Sequence, residues 1–128
     1  VLNVRLSNIS GLSLERGVLR HGNNSGYAAI GVTVQMGAKR IVLLGFDMRA
    51  ARKGDPWYTE PRQGEEPATH FHDDHPCTTR ERTYDKMIPY FATLVEPLRE
   101  AGVEIVNANP SSALECFPKM TLQEAVKL

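Results

Sequence analysis

Met36-Gly37-Ala38-Lys39-Arg40-Ile41-Val42-Leu43-Leu44-Gly45-Phe46-Asp47 is the stretch on which the fold turns. Arg40 to Phe46 is a short, unbroken aliphatic run rich in β-formers, the pattern of a strand buried on both faces. The residues before it have a helical character. Tyr27 to Met36 places Ala29, Val32 and Met36 on one face, with Ala28 beside them, and the small Ala28, Ala29 and Gly31 suit close packing against a sheet. Asn24 and Ser25 are good helix N-caps, because their side-chain oxygens accept from unpaired amides of a first turn. Gly37 stands where a left-handed residue stops a helix. Helix, glycine and buried strand make half of a βαβ unit, which predicts a parallel sheet.

Outward from this centre the signals are more varied. In Val1 to Ser7, Leu2, Val4 and Leu6 alternate with Asn3, Arg5 and Ser7, so a short half-buried strand is expected. Residues 8 to 22 read as irregular. Residues 48 to 76 form a long polar stretch with Pro56, Pro61, Pro67 and Pro76, and loops of such length in compact domains tend to be functional or disordered. Thr78-Thr79-Arg80-Glu81 is a capping box that opens a helix carrying Tyr84, Met87, Ile88, Phe91, Leu94 and Val95. Pro89 and Pro97 should kink or segment it. Ala101-Gly102 ends it, and Val103 to Val106 is a second inner strand. Residues 107 to 112 turn away, and Thr121-x-x-Glu124 caps a short final helix.

The expected inventory is one weak strand, two strong inner strands and three helices. The fold class is α/β, a Rossmann-like partial parallel sheet with flanking helices, in one domain of 128 residues. So few strands leave two options: the chain is half of a larger nucleotide-binding fold, or a homo-oligomer completes the sheet. The chain opens on Val1 and reads as a trimmed or partial product.

Composition narrows the class. With 41% hydrophobic residues the chain can bury a core without disulfide or metal staples. Its 15 basic and 15 acidic side chains cancel, which argues against a broad nucleic-acid surface. Cys77 and Cys116 lack a CxxC spacing, and the opening lacks a signal-peptide layout, so a reduced, cytoplasmic setting is expected. No run approaches a membrane span. Cys116, between Leu114 and Phe117, reads as a small buried residue, and nothing flanking Cys77 marks it as a nucleophile.

Ligands of open parallel sheets bind beyond the carboxyl ends of the strands. Asp47 follows the first strong strand, and Asn107, Asn109 and Ser111 follow the second. The turn at Asn23 to Gly26 lies at a helix N-terminus, where free amides and the helix dipole favour an anion. The alternative is that Asp47 and Asn109 only cap turns.

His70-Phe71-His72-Asp73-Asp74-His75 is the densest polar cluster. It matches the HxHxDH string with which metallo-β-lactamase-type hydrolases hold two zinc ions, but no histidine follows His75 to complete such a site. A single divalent metal on His70, His72 and Asp74 is a second reading. A metal-free reading makes His75 a general base, and a solvated polar loop is the fourth. Trp57 and Tyr58, beside Arg52 and Lys53, could stack on a base or sugar, or simply anchor the loop.

Asn24-Ser25-Gly26, the small-residue helix, the Met36 to Asp47 segment, the histidine loop and Pro110-Ser111-Ser112 together resemble the second half of the bacterial sialyltransferases of glycosyltransferase family 42. The same core is similar to phage-encoded proteins of unassigned function and to pterin diphosphokinase-like proteins. The resemblance covers roughly residues 21 to 116. It implies that Asn24, Ser25 and Gly26 contact a nucleotide, that His75 deprotonates an acceptor hydroxyl, and that Ser111 and Ser112 help hold a cytidine nucleotide. The expected function is nucleotide-sugar-dependent group transfer with a CMP-type donor and Asp47 and His75 as catalytic residues; Asn109 joins the nucleotide-binding set. A non-catalytic phage-type binding or assembly module, and a metal-dependent phosphotransferase or hydrolase, are the alternatives.

Overall fold

Asn24 opens the first helix of the computed structural model, which describes residues 5–6, 9–50, 53 and 81–128. The elements run in the order β1 (Arg5–Leu6), β2 (Val18–Leu19), α1 (Ser25–Gln35), β3 (Arg40–Leu43), α2 (Glu81–Ala92), α3 (Val95–Glu100), β4 (Glu104–Asn107) and α4 (Leu122–Ala125). The Asn24 side chain accepts from the Tyr27 amide at 3.1 Å, so Asn24 is the cap and Ser25 the first helical residue. Gly37, at φ 90, ends the helix in the left-handed conformation expected of it.

Two short parallel pairs form. Arg5 and Leu6 stand opposite Val18 and Leu19, and β3 pairs with β4 in the register Arg40 to Glu104 through Leu43 to Asn107. The expected parallel sheet is therefore present, and the architecture is mixed helix and strand with helices flanking a small parallel pair. β2 corrects the irregular reading of residues 8 to 22. It is only two residues long, below what periodicity can register, and is held by a side chain. The Gln35 amide donates to Ser13 O at 3.1 Å and Val18 O at 2.8 Å, while its oxygen accepts from Gly17 N at 3.0 Å.

Two further expectations are corrected. α1 does not bury Ala29, Val32 and Met36; Met36 is 82% exposed. The buried stripe is Tyr27, Ile30, Gly31 and Val34, also at i, i+3, i+4 and i+7 spacing. A helix apolar on nearly every side offers both stripes, and the distant residues packed against it decide between them. β3 is not buried on both faces. Ile41 and Leu43 point into the core, whereas Val42 is 36% and Leu44 60% exposed. α1, α2 and α3 contribute to the core that contains Ile41 and Leu43, so one side of the strand is covered far better than the other.

The helix expected after residue 78 is segmented, as its prolines predict, into α2 and α3. Pro89 lies within α2 without ending it, and the break falls at Thr93 and Leu94, just ahead of Pro97 in the first turn of α3. A continuous helix would need an amide at position 97 to reach the carbonyl of residue 93, and proline has none. Thr93 closes the α2 end instead, its hydroxyl donating to Tyr90 O at 2.6 Å. The Thr78 cap lies outside the described residues. Thr121 caps α4 in a full capping box with Glu124.

Phe91 is fully buried at the centre of the core, edge-on to Tyr27 at 5.5 Å, Phe46 at 6.0 Å and Phe117 at 6.5 Å between ring centroids. These contacts join α1, α2 and the segments that leave β3 and β4. Among the described residues no helix is long and apolar enough to cross a membrane.

Candidate functional site

The carboxyl ends of β3 and β4 lie side by side because the strands are parallel and in register, so the residues that leave them meet. Asp47 and Asn109 do so directly: the Asn109 amide Nδ2 donates to Asp47 Oδ1. Asn109 Oδ1 in turn accepts from Ser111 N at 3.0 Å and from Ser111 Oγ at 2.9 Å. The backbone amide can only donate, which fixes which end of the Asn109 side chain is which.

The main chain at Asp47 is held as firmly as its side chain. Phe46 O accepts from Ser112 Oγ at 2.6 Å and from Asn107 Nδ2 at 3.3 Å, and Asp47 O accepts from Ala113 N at 2.8 Å. The segment also carries backbone strain. Gly45 (φ 71) and Met48 (φ 52) take left-handed conformations on either side of Phe46 and Asp47. For glycine this costs little, but for a buried methionine it costs about 1–3 kcal/mol, a strain that accumulates at functional positions. Asp47 Oδ2 has no hydrogen-bond partner among the described residues, and the carboxylate is half-buried.

Asn107, fully buried at the end of β4, adds a second acceptor of this kind. Its Oδ1 has no donor among the described residues, an arrangement that costs about 1–3 kcal/mol. Ser112 is buried, and its hydroxyl donates to Phe46 O, reaches Asp47 O at 3.4 Å and accepts from Leu114 N at 2.9 Å. It braces the turn from within, while Ser111 is exposed.

The α1 N-terminus comes up to the same segment. A Cβ on Gly26 would stand 2.7 Å from the Phe46 ring and 2.9 Å from Asn24 Oδ1, so the helix start packs directly on the residue before Asp47. Asn24 Nδ2 donates to the Met87 sulfur at 3.4 Å, bringing α2 to the same place. Asn24, Gly26, Asp47, Asn109, Ser111 and Ser112 thus belong to one region, with Ser25 exposed at its margin.

No protein-family model, curated protein or solved structure matches the chain.

Two residues of the region carry no sequence signal of their own. Arg49 is buried, and its guanidinium donates to Ser111 O at 3.0 Å through Nε, to Ser111 Oγ at 3.2 Å through Nη2 and to Ala50 O at 3.0 Å through Nη1. Its position two residues after a strand-end aspartate was the only available cue. Tyr84, expected as a core residue of the helix, is buried, and its phenol is held above the usual range first by burial and then by the negative charge of Asp47. That coupling brings α2 within electrostatic reach of the strand ends.

His70, His72, Asp74 and His75 lie outside the described residues, as do Arg52, Trp57, Tyr58 and Cys77. Among the described residues no group of three or more His, Cys, Asp or Glu side chains could hold a metal ion. Cys116 is partly buried against the core, and burial pushes its thiol up to about 11. At neutral pH it is a thiol, a poor nucleophile.

Proposed function

We propose that the chain binds a nucleotide or nucleotide sugar at the carboxyl ends of β3 and β4 and acts as a glycosyltransferase-like group-transfer enzyme. The single observation that carries this reading is the immobilised Asp47: one carboxylate oxygen tied to Asn109, its own and the preceding carbonyl both engaged, and its other oxygen without a hydrogen-bond partner among the described residues. A half-buried carboxylate held this way in a strained loop is costly for stability alone and well suited to a ligand. Its place at the end of a parallel strand is where open α/β sheets bind ligands.

In this reading β3 and β4 are the centre of a Rossmann-like sheet, and the phosphates of a CMP-type donor lie over the α1 N-terminus at Asn24, Ser25 and Gly26. Asn109, Ser111 and Ser112 shape the wall opposite, and Asp47 and His75 act on the reacting groups, His75 as general base toward an acceptor hydroxyl. The reading also places the protein in the cytoplasm.

Thermal unfolding with CMP, CDP and a CMP-sugar tests it. A ligand present at a hundred times its Kd stabilises by about 2.7 kcal/mol, which raises the midpoint by several degrees. The absence of a shift with all three overturns the reading. Loss of transfer, with binding retained, in His75→Ala is the expected sign of catalysis.

A further inference from the structure

The hydrogen bonds at the strand ends are unevenly divided between donors and acceptors. Asn109 gives one N–H of its amide to Asp47, and its oxygen accepts twice from Ser111. Ser111 Oγ gives its one proton to Asn109 and accepts from Arg49. Arg49 directs donors to the Ser111 carbonyl and hydroxyl and the Ala50 carbonyl. At these strand ends the side-chain oxygens without a partner among the described residues are Asp47 Oδ2 and the fully buried Asn107 Oδ1.

Such a site repels one class of ligand group and fits another. A phosphate brings acceptors and negative charge, and beside the Asp47 carboxylate it would meet repulsion. A hydroxyl brings a donor, and its bond to a carboxylate is charge-assisted. Each carboxylate oxygen has two acceptor positions, so Asp47 can take a second hydroxyl at Oδ1 beside the Asn109 amide.

We propose that the ligand group seated against Asp47 is a vicinal diol, the ribose 2′,3′-hydroxyls of a nucleotide or the neighbouring hydroxyls of a sugar, and not a phosphate. This rests on the proposed nucleotide function and specifies which end of the ligand the strand-end residues read. A nucleotide then lies with its ribose or sugar at Asp47 and its phosphate away from it.

Calorimetric titration of the full chain with CMP, 2′,3′-dideoxy-CMP and N-acetylneuraminic acid tests the assignment, in the wild type and in Asp47→Asn. CMP should bind the wild type about tenfold or more tightly than its dideoxy analogue, the size of one or two hydrogen bonds to a charged group. That preference should shrink to less than about threefold in Asp47→Asn, since the amide keeps the shape but loses the charge. Equal binding of the two nucleotides, with N-acetylneuraminic acid bound by the wild type and lost in Asp47→Asn, identifies the sugar as the source of the diol. Equal nucleotide binding without sugar binding overturns the diol inference and leaves the nucleotide reading standing. A preference that survives intact in Asp47→Asn also overturns the diol inference, and failure of all three probes to bind overturns both readings.

Discussion

Asn109 donates its side-chain amide to the carboxylate of Asp47, and so joins the segment that leaves β3 to the segment that leaves β4. Because Ser111 donates twice to the other end of the same amide, both Asp47 and Ser111 depend on one side chain.

Asn109→Ala should therefore cost more than an average surface substitution. It removes a bond to a charged acceptor and leaves the Ser111 donors without their protein partner, a loss of about 1–3 kcal/mol. Urea unfolding measures it. A change below about 0.5 kcal/mol, the range of ordinary surface substitutions, would mean that the Asp47–Asn109 contact contributes nothing to the fold.

Gly26→Ala inside α1 should destabilise, although alanine is the better helix former by about 1 kcal/mol. The added methyl group would meet the Phe46 ring at 2.7 Å, and overpacking of this kind costs about 1–3 kcal/mol. A stabilised variant would show that the Phe46 ring yields. Gly37→Ala is the control for backbone conformation alone: it has open space but a φ of 90.

Phe91→Ala should lose about 3–5 kcal/mol, as expected for a fully buried aromatic. Three edge-on ring contacts go with it, including that to Phe46 beside Asp47. Ligand binding should weaken even at temperatures where the variant remains folded.

Stability should decline as the pH rises from about 9 toward 11. Cys116 has its folded pKa raised from 9.0 to about 11 by burial, so the stability it contributes is fully present below the unfolded value and is lost as the pH climbs through the folded one. Tyr84, raised above 10.0, adds a loss of the same sign at higher pH. Cys116→Ser should flatten the stability curve between pH 9 and 11 and leave neutral pH less affected. An unchanged slope would show that Cys116 titrates as it does in the unfolded chain.

Much of the frame was legible because it rests on short-range chemistry. Asn24 as a cap, Gly37 as a stop, the parallel pairing of Ile41 and Leu43 with the second strand, and the Thr121–Glu124 box are each written in a few adjacent residues. The choice of buried stripe on α1 was not, since Ala29, Val32 and Met36 are as apolar as their rivals, and only neighbours distant in sequence select Tyr27 and Ile30. Two-sided burial of β3 failed for a related reason: the run Val42-Leu43-Leu44 records hydrophobicity, not the number of covering layers. At the site, the placement of Asp47 beside Asn109 follows from where strands end. The roles of Arg49 and Tyr84 depend on contacts across tens of residues, and no local spacing encodes them.

The parallel pairing of β3 with β4 also sets the order in which the protein can assemble. Arg40 donates from Nε to Glu104 at 2.7 Å across a separation of 64 residues, and parallel strands have no tight hairpin to bring them together. Pairing must wait until the long intervening chain has closed, so folding should be slow for a chain of this length. The contact between Asp47 and Asn109 forms only once that closure is complete. The strand-end region is thus complete only in the finished fold, and on the proposed function a ligand bound there lengthens the lifetime of the native chain against local opening and proteolysis.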